Sequence, residues 1–474
     1  MSDGGDLSSA PPGPAPGGPP AANPELTVEQ ADALILSRGF AALMLLAAFV
    51  GVVVSLAAWC FLEGTVQMQH LLFDHLPSSL GYEDGPPLWY LLAVLGLAGV
   101  IVGLTIARLP GRGGHVPVHG LSASGSPAQG LDLAGVLLAG AGTIAFGLVL
   151  GPEAPLIALG AGLALHTIRL TRREVPEEGL LVVSAAGSFA AVAFIFSSPI
   201  IAAVLLIEAT GLGGARQRIV LLPGLLAAGI GSLVSIGIGS LSGLSAADYA
   251  LGPLDLPQFN QPTVVEFAWA LPLSVVVALA GHIVLRLGRE TERIATPRPL
   301  TTAVVVGLLV AGLAFFFGRA TGESPLGVLL SGQDELPALV ARAGALSLST
   351  LVLLLVFKAV AYGLCMGSFR GGPTFPAVFL GTAGGIIAAG LPGLSTTPAV
   401  AICMAAATVT ILHLPLSSIV LAILLTAGAG AGSGPLIIVA VVVAHMTTLG
   451  IRSRQQQSAA EPEVAIGEHA PAVG

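Results

Sequence analysis

Glu153 stands between two prolines in Gly151-Pro152-Glu153-Ala154-Pro155, and the spacing Gly-Pro-x-x-Pro returns at Gly372-Pro373-Thr374-Phe375-Pro376. Proline suits the first turn of a helix, because its fixed φ is already helical and its missing N–H would be an orphan there. Glycine just before it permits the bend. Each motif therefore opens a helix whose free N–H groups and positive dipole end attract an anion. Two such ends brought together make an anion site without any fixed positive side chain. At one of these ends Glu153 supplies its own carboxylate, which can cap the helix or take the place of the anion.

The self-match runs past the prolines: Ile157, Leu159 and Gly160 align with Val378, Leu380 and Gly381. A second match follows in the same order and at nearly the same register shift. Setting Pro199 on Pro415 places Val204 on Val420, Leu205 on Leu421, Ile207 on Ile423 and Thr210 on Thr426. The expected organisation is two membrane repeats, 31–255 and 256–452, between a disordered N-terminal tail, 1–30, and a polar C-terminal tail, 453–474. Gly/Pro-interrupted short helices at matching positions of duplicated halves point to a transporter-type fold with its site where the halves meet.

The solvent for these elements is lipid. Of 474 residues 54% are hydrophobic and 9% charged, too few charges to cover a water-soluble surface. Apolar runs long enough to cross a bilayer as helices occur near 39–62, 88–107, 132–150, 219–243, 264–285, 300–318, 346–366 and 433–449. Shorter, interrupted runs lie at 153–168, 199–210, 375–391 and 415–427, and broken backbone at membrane depth belongs where it is buried or lines a cavity. The fold class expected is an all-α, multi-pass membrane protein with two inverted-topology repeats and many tilted and broken helices. Arginines cluster in some connections and are missing from 73–87 and 244–262, so the Arg-bearing side is expected to be cytoplasmic, together with both termini.

Other functions lack their residues. The net charge is −8, and the basic residues are all arginine except Lys358, with no polybasic tract for nucleic acid. No H-E-x-x-H, G-x-S-x-G or paired intramembrane aspartate supports an enzyme, and no cofactor or metal is expected. Cys60, Cys365 and Cys403 sit in apolar runs without ligand spacing and read as small core residues.

At these motifs the chain resembles the CLC family of chloride channels and chloride/proton antiporters. That family carries G-[KR]-E-G-P at one short helix, G-x-F-x-P at another and a G-S-G-I-P loop upstream. Gly151-Pro152-Glu153-Ala154-Pro155 matches the first, Gly372 to Pro376 the second in part, and Gly113-Gly114-His115-Val116-Pro117 lies where the third belongs. The likeness covers roughly residues 35–450 and implies a homodimer in the cell membrane with one path per subunit. It also implies that Glu153 is the gating glutamate. The anion-binding set it implies is Gly114, His115, Pro152, Glu153, Ala154, Thr374 and Phe375. Glu208 matches the first of two adjacent acids and becomes a candidate for the proton path, or a carboxyl satisfied by backbone or water.

Departures from the family pattern matter as much. The second acid is Ala209, which removes the inner proton relay, and the family's anion-binding serine aligns with Gly114. Pro152 and Pro373 bring no N–H to the anion. The family's anion-coordinating tyrosine has no counterpart, since no tyrosine follows Tyr362. His115 and His119 are either solvated loop residues or pH-sensitive groups near the inner mouth. Lys358 and Arg370 flank the second motif; a buried cation there either raises the local anion concentration or, for Lys358, snorkels or pairs with Glu208. The expected function is transport of chloride or a similar small anion, channel-like or weakly proton-coupled. A stoichiometric antiporter using Glu208 or water is the alternative, and a carrier for another anion is more remote. The family's fluoride branch departs where this chain keeps Pro155, so chloride comes first.

Overall fold

A computed structural model describes residues 27–82, 85–121, 127–170, 177–211, 213–242 and 251–460. The two expected tails lie largely outside them. A short amphipathic helix, α1 (Val28–Ile35), nevertheless begins inside the stretch assigned to the N-terminal tail, closed by a capping box between Thr27 and Gln30. At the other end helix continues past residue 452 to Ala460.

Among the described residues every long element is helical. The first part of the chain forms α2 (Arg38–His70), α3 (Leu76–Ser79), α4 (Leu88–Arg108), α5 (Leu131–Ile144), α6 (Glu153–Leu170), α7 (Glu177–Phe196), α8 (Pro199–Thr210) and α9 (Gly214–Ser242). The second part forms α10 (Val264–Ala295), α11 (Pro299–Thr321), α12 (Glu335–Ala341), α13 (Leu348–Ser368), α14 (Thr374–Ala388), α15 (Thr396–Leu412), α16 (Pro415–Leu425) and α17 (Gly434–Ala460). The succession of Gly-Pro turn, helix, central helix and proline-led short helix occurs twice, as α6–α8 and as α14–α16.

Among the described residues eight helices are long and apolar enough to span a membrane. One of the expected spans needs correction, and one span was not expected. The run 132–150 is not one helix: α5 stops at Ile144, Gly147 turns the chain at φ 83°, and non-helical backbone at 148–150 leads into the first motif. The helix that takes its place in the count, α7, is as apolar as the outer spans and was not among the expected ones. It is a central helix, and 78% of its most apolar window is buried inside the protein rather than facing lipid. α15, rich in Ala and Thr, is likewise buried on all sides from Thr397 to Leu412. An element apolar all round belongs in the interior.

Small residues let these helices touch backbone to backbone. Gly99 and Gly103 of α4, spaced as G-x-x-x-G, meet α11 so closely that a Cβ at Gly99 would fall 2.6 Å from the Ala303 carbonyl oxygen. Gly381 and Gly385 of α14 do the same against Met404 and Val400 of α15. The outer helices carry exposed apolar side chains such as Phe49, Val276, Ile283 and Phe316, as a lipid-facing belt requires. Cys365 and Cys403 are buried as expected, whereas Cys60 of α2 is exposed on that belt.

Candidate functional site

The two Gly-Pro motifs meet. Gly151 and Gly372 form an isolated antiparallel bridge in which the Gly151 N–H donates to the Gly372 carbonyl at 2.7 Å and the Gly372 N–H returns the bond at 2.5 Å. This pairing sets the N-termini of α6 and α14 side by side. Glu153, first residue of α6, is fully buried, and its Oε1 accepts the Phe375 N–H of α14 at 3.1 Å. The carboxylate fits because both bridge residues are glycine: a Cβ on Gly372 would lie 1.6 Å from Glu153 Oε2, and one on Gly151 2.2 Å. Among the described residues neither Oε2 nor the buried Thr374 hydroxyl makes a hydrogen bond of full geometry, although the Thr374 side chain lies beside the carboxylate. The Glu153 carboxylate thus lies at the N-terminal end of α14, where the helix dipole and free N–H groups favour negative charge.

The surrounding elements hold this pair of turns from several sides. Tyr362 of α13, fully buried, donates its hydroxyl to the Pro373 carbonyl at 2.7 Å. Phe375 stacks on Phe196, the last residue of α7, with ring centroids 5.4 Å apart. Lys358, one turn before Tyr362 on α13, neither snorkels nor pairs with Glu208. Its Nζ is buried and donates to the carbonyls of Gly327, Leu329 and Leu330 at 3.0, 2.7 and 3.3 Å, with the Phe379 ring 4.5 Å away. Leu330 in turn donates its N–H to Gly147, in the turn that leads to Glu153.

Glu208 lies elsewhere. From α8 it accepts the Leu416 N–H at 2.8 Å, the Ser417 N–H at 2.7 Å and the Ser417 hydroxyl at 2.6 Å, so it caps the N-terminus of α16. Glu153 and Glu208 therefore do the same thing twice, each carrying a carboxylate from one part of the chain to a helix end in the other.

Gly114 and His115 lie on the loop after α4. Gly113 and Gly114 take positive φ, and the side of Gly114 where a side chain would grow faces Val136 at 3.0 Å. His115 Nε2 bonds the Gly120 carbonyl at 2.8 Å and His119 Nε2 bonds Glu292 Oε1 at 2.8 Å. Burial, with smaller contributions from the His119 and Arg370 charges, holds the His115 imidazole below its ordinary pKa. The loop reaches the second motif through Arg370, whose Nε donates to the Arg112 carbonyl at 3.3 Å. The structure thus gathers Pro152, Glu153, Ala154, Thr374 and Phe375 around the Gly151–Gly372 bridge, with Gly114 and His115 one layer away and Glu208 apart. Tyr362 was missed in the sequence; its one signal was a polar ring inside an apolar run shortly before the motif.

Known proteins resemble the chain in sequence and in fold. The family profile described as "Voltage gated chloride channel" matches residues 98–449. The "Putative ion-transport protein YfeO" of Escherichia coli O1:K1 / APEC is 28% identical over 359 residues, 74% of this chain and 80% of that protein. The fold resembles that of a slow cyanobacterial Cl−/H+ antiporter with a TM-score of 0.67 at 17% identity, covering 89% of this chain and 98% of that one. It also resembles a CLC-type fluoride/proton antiporter with a TM-score of 0.62 at 19% identity, covering 86% and 95%. The chain is a multi-pass membrane protein and belongs to the voltage-gated chloride channel family, the CLC family whose motifs it carries.

Proposed function

We propose that this chain carries a small inorganic anion, chloride in the first instance, across the membrane along a path through the paired helix ends, with Glu153 as its gate. One observation carries the reading: the Glu153 carboxylate accepts the Phe375 N–H at the start of α14. A carboxylate there competes with a diffusing anion for the same amides, so protonation or displacement of Glu153 frees the site. The remaining main-chain donors are the amides of Glu153, Ala154, Thr374 and Phe375, since Pro152 and Pro373 have none. The buried Thr374 hydroxyl is the natural additional ligand. Members of this family are transporters and channels rather than enzymes.

Channel-like or weakly proton-coupled transport follows from the same residues. Ala209 offers no proton carrier, and the oxygens of Glu208 are occupied by three donors at the α16 terminus. The surrounding architecture belongs to the proposal: repeats 31–255 and 256–452, termini in the cytoplasm with the arginine-rich connections, and a homodimer. The deciding experiment is flux from liposomes loaded with chloride or fluoride, for wild type and Glu153→Ala, with proton movement recorded in parallel. Chloride efflux altered by the substitution, without uphill proton movement, is the expected result. Sustained proton pumping down a chloride gradient would replace the channel-like reading with the antiporter. Unaltered efflux and pH response in Glu153→Ala would remove the gate, and fluoride efflux alone would change the substrate.

A further inference from the structure

Arg370 occupies an unusual place for a charged residue. It lies two residues before Gly372, only 9% exposed. Its Nη1 donates to the Phe369 carbonyl at 3.0 Å, its Nε to the Arg112 carbonyl at 3.3 Å, and its main-chain N–H to the Thr143 hydroxyl at 3.4 Å. Its stem fills the space that Gly113 leaves open: a Cβ there would lie 3.1 Å from Arg370 Cγ. The side chain therefore joins the loop that carries Gly114 and His115 to the turn that carries Thr374 and Phe375.

Among the described residues its charge has no ion-pair partner, and its Nη2 makes no hydrogen bond among them. The acid whose field reaches it, Glu292, is engaged by His119 at 2.8 Å. His115, the other ionisable group beside it, has its Nε2 on the Gly120 carbonyl. A guanidinium stays protonated at any working pH, and a buried charge without a counter-charge is costly. Carbonyl oxygens solvate part of it but do not neutralise it.

We propose that Arg370 forms, with the loop at Gly113–His115, a binding site for a small monovalent anion on the way to the Glu153 pocket. The mobile anion supplies the missing counter-charge. It also gains a fixed cation where this chain offers no hydroxyl at Gly114 and no N–H at Pro152 or Pro373. The inference rests on the transport reading and adds to it a residue that sets anion affinity. Multivalent anions are disfavoured, because a single guanidinium cannot neutralise them.

The test is chloride-dependent flux in liposomes for wild type, Arg370→Gln and Arg370→Lys, with the chloride concentration varied on each side separately. Arg370→Gln is expected to raise the half-saturating chloride on one side by about tenfold, while Arg370→Lys, which keeps a cation, stays within about threefold of wild type. Flux that saturates as in wild type for Arg370→Gln would make the residue a structural tie and overturn the site, leaving the Glu153 transport reading intact. Absence of anion flux in wild type would end both. Should Arg370→Gln fail to fold, crystals of the wild-type protein in bromide decide. An anomalous peak within about 4 Å of the guanidinium is expected, and an empty position at high bromide would sink the proposal.

Discussion

Glu153 and Phe375 are joined by a hydrogen bond of 3.1 Å between a carboxylate at the start of α6 and an amide at the start of α14. The bond crosses the Gly151–Gly372 bridge, so the carboxylate lies at the end of a helix other than its own. Replacing Glu153 by Gln keeps the shape and removes the charge that competes with the anion. The expected outcome is faster anion efflux with a weaker dependence on pH, read with a chloride electrode outside loaded liposomes between pH 5 and 8. An efflux rate and pH profile equal to wild type would show that this carboxylate caps the helix and does nothing more.

Glu208 is expected to matter for stability rather than for coupling. Glu208→Ala strips three donors at the α16 terminus of their acceptor. Losing a charged cap costs about 1–3 kcal/mol. A lowered melting temperature in detergent with an unchanged ratio of proton to anion flux is the expected pair of results. A proton flux that disappears while the melting temperature holds would return Glu208 to the proton path.

Much of this site was legible in the sequence because Gly and Pro have positional meaning. Gly-Pro-x-x-Pro marks a helix start wherever it lies, so Glu153 and Thr374 could be named before any fold was known. Partners brought together by folding were not legible. Glu208 meets Ser417 across 209 residues, and nothing local to either announces the other. Lys358 looked like a cation for an anion path, yet its Nζ is taken up by three carbonyls of one loop. The interior helices were not all read either: α7 is as apolar as the outer spans yet was not among them, and α15, at 17 residues, is short for a crossing; both face other helices, where Ala, Gly and Thr serve packing.

Tyr362 anchors the second motif from α13 through the Pro373 carbonyl. Tyr362→Phe keeps the ring and leaves that buried carbonyl without its donor, a cost of about 1–3 kcal/mol. We expect a lower melting temperature together with weaker apparent chloride affinity, since the Thr374 and Phe375 amides follow the same turn. A variant with wild-type affinity and only the stability loss would restrict Tyr362 to packing.

Lys358 holds the loop 327–330, and through Leu330 and Gly147 it braces the turn that delivers Glu153. Lys358→Met fills similar volume but leaves three carbonyls unsatisfied. Because each buried unsatisfied acceptor costs about 1–3 kcal/mol, this variant should be the least stable of the set, recovered in low yield and prone to aggregate on size-exclusion chromatography. A monodisperse Lys358→Met protein with the wild-type melting temperature would contradict a bracing role.

His115 gives stability a pH dependence of definite sign. Burial holds its imidazole below the ordinary value, so the folded protein binds fewer protons here than the unfolded chain as pH falls through the usual histidine range. Its contribution is therefore present at neutral pH and is lost as pH drops below the unfolded value of about 6.5. His119, Arg370 and Glu292 are the charged groups that act on it, the first two reinforcing the shift and Glu292 opposing it. The melting temperature is expected to rise between pH 5 and pH 7, and His115→Gln, which keeps a donor for the Gly120 carbonyl, should flatten part of that rise. Parallel curves for the two proteins would mean that the pH dependence arises at other groups and that His115 titrates freely in its loop.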